Sequence, residues 1–235
     1  MSKKGVHSSY RDKNFSKSEL VQWLDKKIRV VEVDKRDKTK FIEKALGHQF
    51  KTHSLSELSI NRFVLRDKLD ETMNQKIEEY TKNRFYELIK AKNIFLRETE
   101  DFPQKIIVPE KETEKFKKNI YAAVGKLNKE ELNFVSRLDS ETLPNILCWV
   151  RNKEKQNFYL QGWKRNKFYP DFIALTKKGT IIVLEWKGED RTGSEDTKYK
   201  QEIAEAWQEL GKGQCAFFLV NNSNIEAILN QIKGL

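Results

Sequence analysis

Along the first hundred residues apolar positions recur at intervals of three and four with charges between them, the pattern of helices that bury one face. SKSE at 16–19 offers a capping box for a helix running through Trp23 and Leu24. FIEKALG at 41–47 reads as a helix closed by a C-cap glycine, Gly47. The longest stripe, Leu69, Met73, Ile77, Tyr80, Leu88 and Ile89, predicts a helix over about 67–92 whose apolar face packs into a core. IRVVEV at 28–33 breaks the pattern and reads as a strand.

The texture changes at 102–118, FPQKIIVPEKETEKFKK, which holds two of the four prolines and a dense run of charge. A boundary there separates a mainly helical region, 1–118, from a second domain, 119–235. In that domain the pattern predicts a helix at 128–139 and strands at 145–150, 157–163, 168–175 and 180–187, the last two joined by a TKKG turn. A helix at 195–210, a strand at 214–220 and a helix at 223–233 complete it. A helix, a run of strands, then helix, strand and helix predict an α/β or α+β domain, a short mixed sheet flanked by helices. There is no internal repeat or low-complexity tract.

Composition sharpens this only in part. With 235 residues, 38% of them hydrophobic, the chain can build a real core. Its net charge of +10 is uneven: residues 1–118 hold 28 basic and 20 acidic groups, residues 119–235 hold 17 and 15. The basic excess of the helical region suggests a polyanionic partner, nucleic acid first, against the plainer reading of a solvated lysine-rich surface. Cys148 and Cys215 have neither metal-ligand nor disulfide-framework spacing and read as buried, reduced thiols. His7, His48 and His53 form no zinc-ligand pattern, and no Ser/His/Asp or Cys/His arrangement supports a nucleophilic hydrolase. No signal peptide is legible and no apolar run approaches the roughly 20 residues of a membrane span, so the expectation is a cytoplasmic protein with no membrane partner.

The candidate chemistry lies in YPDFIALTKKGTIIVLEWKG, residues 169–188. Strand alternation puts Glu185 and Lys187 on one face, and Leu184 and Trp186 on the other. Pairing across the four turn residues 176–179 brings Asp171, at the start of one strand, near the end of the next; Pro170, which donates no ladder bond, suits a strand start. Two carboxylates forced together repel, and a shared proton or a divalent cation relieves them. All-oxygen ligation suits magnesium or manganese, and a lysine beside such a cation can orient a water or hold a phosphate oxygen. That is machinery for phosphodiester hydrolysis. The structural alternative is a Lys187–Glu185 ion pair with Asp171 as an ordinary turn residue.

Pro170-Asp171, thirteen residues, then Glu185-Trp186-Lys187 resembles the signature of the PD-(D/E)XK nuclease superfamily. More narrowly, NKEELNFVSRLDS, NILCWVRN, KFYPDFIAL and IIVLEWKGED resemble the C-terminal nuclease domain of type III restriction enzyme Res subunits and related helicase-nucleases, over roughly 119–220. The resemblance implies a restriction-endonuclease-like α-β-β-β-α-β core preceded by the mainly helical region. It implies that Asp171 and Glu185 bind Mg2+ or Mn2+, that the Trp186 backbone carbonyl completes the metal shell, and that Lys187 positions the attacking water. Glu131 matches an acidic position that adds a ligand; Arg151, Asn152 and Lys200 match positions near the DNA phosphates.

The residues themselves leave some of this open. Glu131 shares a helical stripe with Leu127, Phe134, Val135 and Leu138, yet Asn128 with Glu131 three residues on is also a capping box, and Glu130 falls off the stripe. Arg151 reads equally as a solvated strand-end charge. Lys200 shares its stripe with Ile203, Trp207 and Leu210, which points it at the sheet.

No GxxxxGK[ST] or DEAD-type box is present, so no ATP-driven motor is encoded in these residues. The expected function is a metal-dependent endodeoxyribonuclease in a restriction or anti-phage setting, a fragment or subunit of a helicase-nuclease, with DNA and a helicase/ATPase or methyltransferase subunit as partners. The rival is a non-catalytic nuclease-fold module that binds DNA or docks a helicase.

Overall fold

The computed structural model describes residues 15–96, 102–108, 114–155, 158–188 and 194–235. The chain divides into two compact units, residues 1–83 and 84–235. The division falls inside a helix, upstream of the proline-rich stretch at 102–118. That stretch goes with the second unit because its end is tied there: the backbone N–H groups of Lys117 and Lys118 donate to the Asp139 carboxylate at 2.8 and 2.7 Å.

The first unit is helical: α1 (Lys17–Lys27), α2 (Lys35–Gln49), α3 (Leu55–Ile60) and the first part of α4 (Arg62–Lys90). Ser16 caps α1 in a reciprocal box with Glu19, as the SKSE pattern predicts. Leu20, Leu24, Ile42, Leu46, Leu69 and Met73 form its core. Two expectations fail. IRVVEV makes no strand, although its alternation is real: Ile28 and Val30 are buried while Arg29 and Val31 are exposed. The neighbours of this run in its unit are helices, which offer no ladder partner; instead the Lys38 ammonium donates to the carbonyls of Asp25 and Ile28. Gly47 does not end α2, which continues to Gln49 under the C-cap Phe50, because a helical glycine in open space costs only about 1 kcal/mol.

The second unit carries α5 (Lys129–Leu138), β1 (Ile146–Arg151), β2 (Phe172–Thr176), β3 (Ile181–Trp186), α6 (Glu195–Leu210), β4 (Cys215–Val220) and α7 (Ile225–Gly234). The four strands form one mixed sheet in the order β1-β2-β3-β4, antiparallel between the first three and parallel between β3 and β4. The fold is thus a mixed α/β sheet with helices. One face, with Trp149, Phe172, Ile182 and Leu184, packs with Phe134 and Leu138 of α5 and Ile228 and Ile232 of α7. The other, with Val150, Ile173 and Val183, packs with Tyr199, Ile203 and Ala204 of α6.

The predicted strand at 157–163 is absent over its described part, and Asn157 lies outside the described residues. Only a bridge between Leu160 and Phe168 forms there. The chain lies instead on α6, so close at Gly162 that a Cβ would come within 2.3 Å of Ile203 Cδ1. Both thiols are free, with Cys215 buried but Cys148 only half-buried. No helix among the described residues is long and apolar enough to cross a membrane.

Candidate active site

The β2–β3 hairpin turns through Thr176–Gly179, where the Gly179 N–H donates to the Thr176 carbonyl and Gly179 takes φ of 89°, a region glycine enters without strain. This turn sets Phe172 opposite Leu184. One step further along the same register, Asp171 stands opposite Glu185. On the other side Arg151 pairs with Phe172, so the next residue, Asn152, faces Asp171, and its N–H donates to the Asp171 carbonyl at 2.8 Å. Glu185 in turn sits beside Leu219 of β4. Asn152, Asp171 and Glu185 therefore form one row across three strands, at the end of the sheet and on its α6 side, because side chains opposite one another share a face.

The row is electrostatically tense. Glu185 is 3% exposed, and its Oε1 takes both ammonium groups, Lys187 Nζ and Lys200 Nζ, each at 3.1 Å. Its Oε2 is buried with no hydrogen-bond partner. Asp171 Oδ2 accepts the Trp186 N–H at 2.7 Å. Burial first, and then the charges of Glu185 and Glu131, push the Asp171 carboxyl up to about 7, against the Trp186 hydrogen bond and the Lys187 charge, which lower it. For Lys200 burial acts to lower the pKa, but the charges and hydrogen bonds of Glu185 and Asp196 prevail and raise it.

The other predicted residues fall into place unevenly. Trp186 ends β3 with its indole 5.8 Å from the ring of Phe134, on the α5 face and away from Glu185. Glu131 belongs to its helix end: Asn128 and Glu131 form the reciprocal capping box, and Glu131 Oε2 lies 3.5 Å from Arg151 Nη2. Its influence on the row is through charge. Arg151 is half-buried and donates to the Lys126 carbonyl at 2.6 Å. Asn152 is buried, and its amide Nδ2 donates to the carbonyls of Phe158 and Pro170 at 2.8 and 2.9 Å. It thus clamps the turn that delivers Asp171, a positioning task, while its Oδ1 is a second buried oxygen without a partner.

Two residues that the charge pattern does not single out, Tyr159 and Tyr169, flank the Leu160–Phe168 bridge next to this row. The signal for them is the interleaving of aromatic with basic residues through 158–169.

Among the described residues no three His, Cys, Asp or Glu side chains come together to hold a metal ion. A cation at this row would rest on two carboxylates supplemented by backbone and water oxygens. That donor set suits magnesium, which keeps several waters and binds one or two carboxylates, and the orphaned Glu185 Oε2 and the strained Asp171 are the groups a cation would satisfy. Comparison of the chain with protein-family models, curated proteins and solved structures returns no match.

Proposed function

We propose that the second unit is a metal-dependent deoxyribonuclease of the PD-(D/E)XK type. The observation that carries this is the pair Asp171–Glu185: two carboxylates set face to face at the end of a hairpin, one with its affinity for a proton raised, the other with a buried oxygen lacking a partner. The element order α5-β1-β2-β3-α6-β4 in a mixed sheet supports this reading, being the order implied by the resemblance of Pro170-Asp171 and Glu185-Trp186-Lys187 to that signature. Asp171, Glu185 and the Trp186 carbonyl would hold Mg2+ or Mn2+, which when bound polarises the phosphoryl group and favours hydroxide at neutral pH. Lys187, fixed by Glu185, orients the water or a phosphate oxygen. Lys200, on the same oxygen, balances the charge of the row and adds cationic field at the phosphate.

That balance also favours a second reading. Two ammonium groups on one carboxylate are a self-sufficient ion cluster, as a non-catalytic module that binds DNA or docks a helicase would have. Incubating circular single-stranded DNA and supercoiled plasmid with the protein in magnesium or EDTA separates the two. A nuclease cuts in magnesium only, and Lys187→Ala and Asp171→Ala each lose at least about a hundredfold in rate without their losses adding. Wild-type protein that binds DNA but cuts neither form establishes the non-catalytic reading, and cutting undiminished in Asp171→Ala refutes the assignment of the chemistry to this carboxylate row.

A further inference from the structure

The connection between β1 and β2 does more than return the chain. Five basic residues, Lys153, Lys155, Lys164, Arg165 and Lys167, stand there against two acids, Glu154 and Asp171, and aromatic residues run between them. Leu160 and Phe168 pair through two backbone hydrogen bonds of 2.8 and 2.9 Å and are 5% and 1% exposed. Because successive side chains of extended chain alternate, the residues flanking that bridge, Tyr159 and Tyr169, point the opposite way. They meet there, ring centroids 5.8 Å apart at 52°, and Tyr159 is exposed. The ammonium of Lys167 lies 3.6 Å from the centre of the Tyr159 ring.

Tyr159 is exposed and Tyr169 half-buried, and with Lys167 on the Tyr159 ring the pair sets aromatic and basic surface side by side. The pair is also registered to the carboxylate row. Tyr169 is followed by Pro170 and Asp171, and the Asn152 amide binds the carbonyls of Phe158 and Pro170 together, so the segment carrying Tyr159 and the segment carrying Asp171 are held by one side chain. The tyrosine pair therefore stands close to the row along the chain, with only Pro170 between Tyr169 and Asp171.

We propose that Tyr159 and Tyr169, with Lys167, form a stacking platform for an unpaired DNA strand beside the carboxylate row, so that the substrate is single-stranded or locally unpaired DNA rather than intact duplex. The assignment deepens the nuclease reading and rests on it. An aromatic face takes a base only when that base's own face is free, which paired and stacked duplex denies. Every base has such a face, so stacking gives strand selection without sequence selection. Arg165, and Lys167 as a base displaces it from the Tyr159 ring, supply phosphate contacts along the same segment, and these make the affinity salt-dependent.

The test is fluorescence anisotropy of the full chain with a labelled oligothymidylate and with a duplex, in EDTA so that nothing is cut, beside cleavage of both in magnesium. Wild type is expected to prefer the single strand. Tyr159→Ala should weaken that binding about tenfold, with duplex binding unchanged. Tyr159→Phe, which keeps the ring, should bind like wild type, and Lys167→Gln should reduce the salt slope. Equal binding by Tyr159→Ala, or parallel loss on both substrates, overturns the platform. Lys187→Ala separates this proposal from the nuclease reading: it should bind the single strand and fail to cut it. A chain that binds through Tyr159 yet cuts nothing leaves the platform standing and refutes the nuclease; one that binds and cuts the single strand as well without Tyr159 does the reverse.

Discussion

Two buried acidic regions of the same unit are built on opposite terms. Asp139, at the end of α5, is 8% exposed and accepts three hydrogen bonds, from the Lys117 and Lys118 N–H groups and from Trp149 Nε1 at 2.8 Å. Its charge is fully answered by donors that the fold itself must place, and in return it ties the incoming strand-like segment to the sheet. In the Asp171–Glu185 row Glu185 is as deep and Asp171 half-buried, but one carboxylate oxygen there has no partner and the two charges oppose each other. A buried acid that only supports the fold is satisfied by it; a buried acid left unsatisfied, opposite another, marks a place where something else completes the shell.

The contrast predicts different failures. Removing the carboxylate of Asp139 leaves three donors unanswered, two of them backbone, so Asp139→Ala should lower the stability of the unit by about 3 kcal/mol in urea unfolding. A change under about 1 kcal/mol would mean that water replaces the carboxylate freely. Glu131 sharpens the line between the regions with the smallest effect. It lies near the row but serves the α5 N-terminus, and glutamine keeps the bond to the Asn128 N–H. Glu131→Gln should therefore change stability by less than about 0.5 kcal/mol and leave cleavage within a few-fold of wild type. A large loss of cleavage with stability intact would move Glu131 into the metal shell.

How far all this was legible depends on what each inference required. α5 is written plainly, since Asn128, Glu131 and the stripe through Phe134, Val135 and Leu138 specify cap, start and buried face together. The meeting of Asp171 with Glu185 was legible because four turn residues leave a hairpin little freedom of register. Asn152 as a clamp was not, because β1 reaches β2 through twenty residues, 152–171, and a register shift between Ile146 and Cys148, none of which the local pattern specifies. IRVVEV misled for a related reason: alternation reports which side chains are buried, and a strand also needs a partner. The pull of both Lys187 and Lys200 onto one oxygen of Glu185 came from the tertiary position of α6, which the stripe at Lys200 indicated only as a direction.

The claim on which everything else rests is that Asp171 and Glu185 are held together at a cost that a cation relieves. Folding raises the Asp171 carboxyl from its ordinary 3.8 to about 7, so between those values the native chain holds a proton that the unfolded chain has released. Stability falls as pH climbs through that window, and the penalty is complete above about 7. Asn at this position keeps an acceptor for the Trp186 N–H and removes the charge. Thermal melting of wild type and Asp171→Asn at pH 8, in EDTA and in magnesium or manganese, reads the claim directly. In EDTA the variant should melt above wild type, with the gap closing as pH is lowered towards 4; the metal should raise the wild-type melting temperature and leave the variant nearly unmoved. An equal metal shift in both proteins, or a variant that melts below wild type at pH 8 in EDTA, would contradict it.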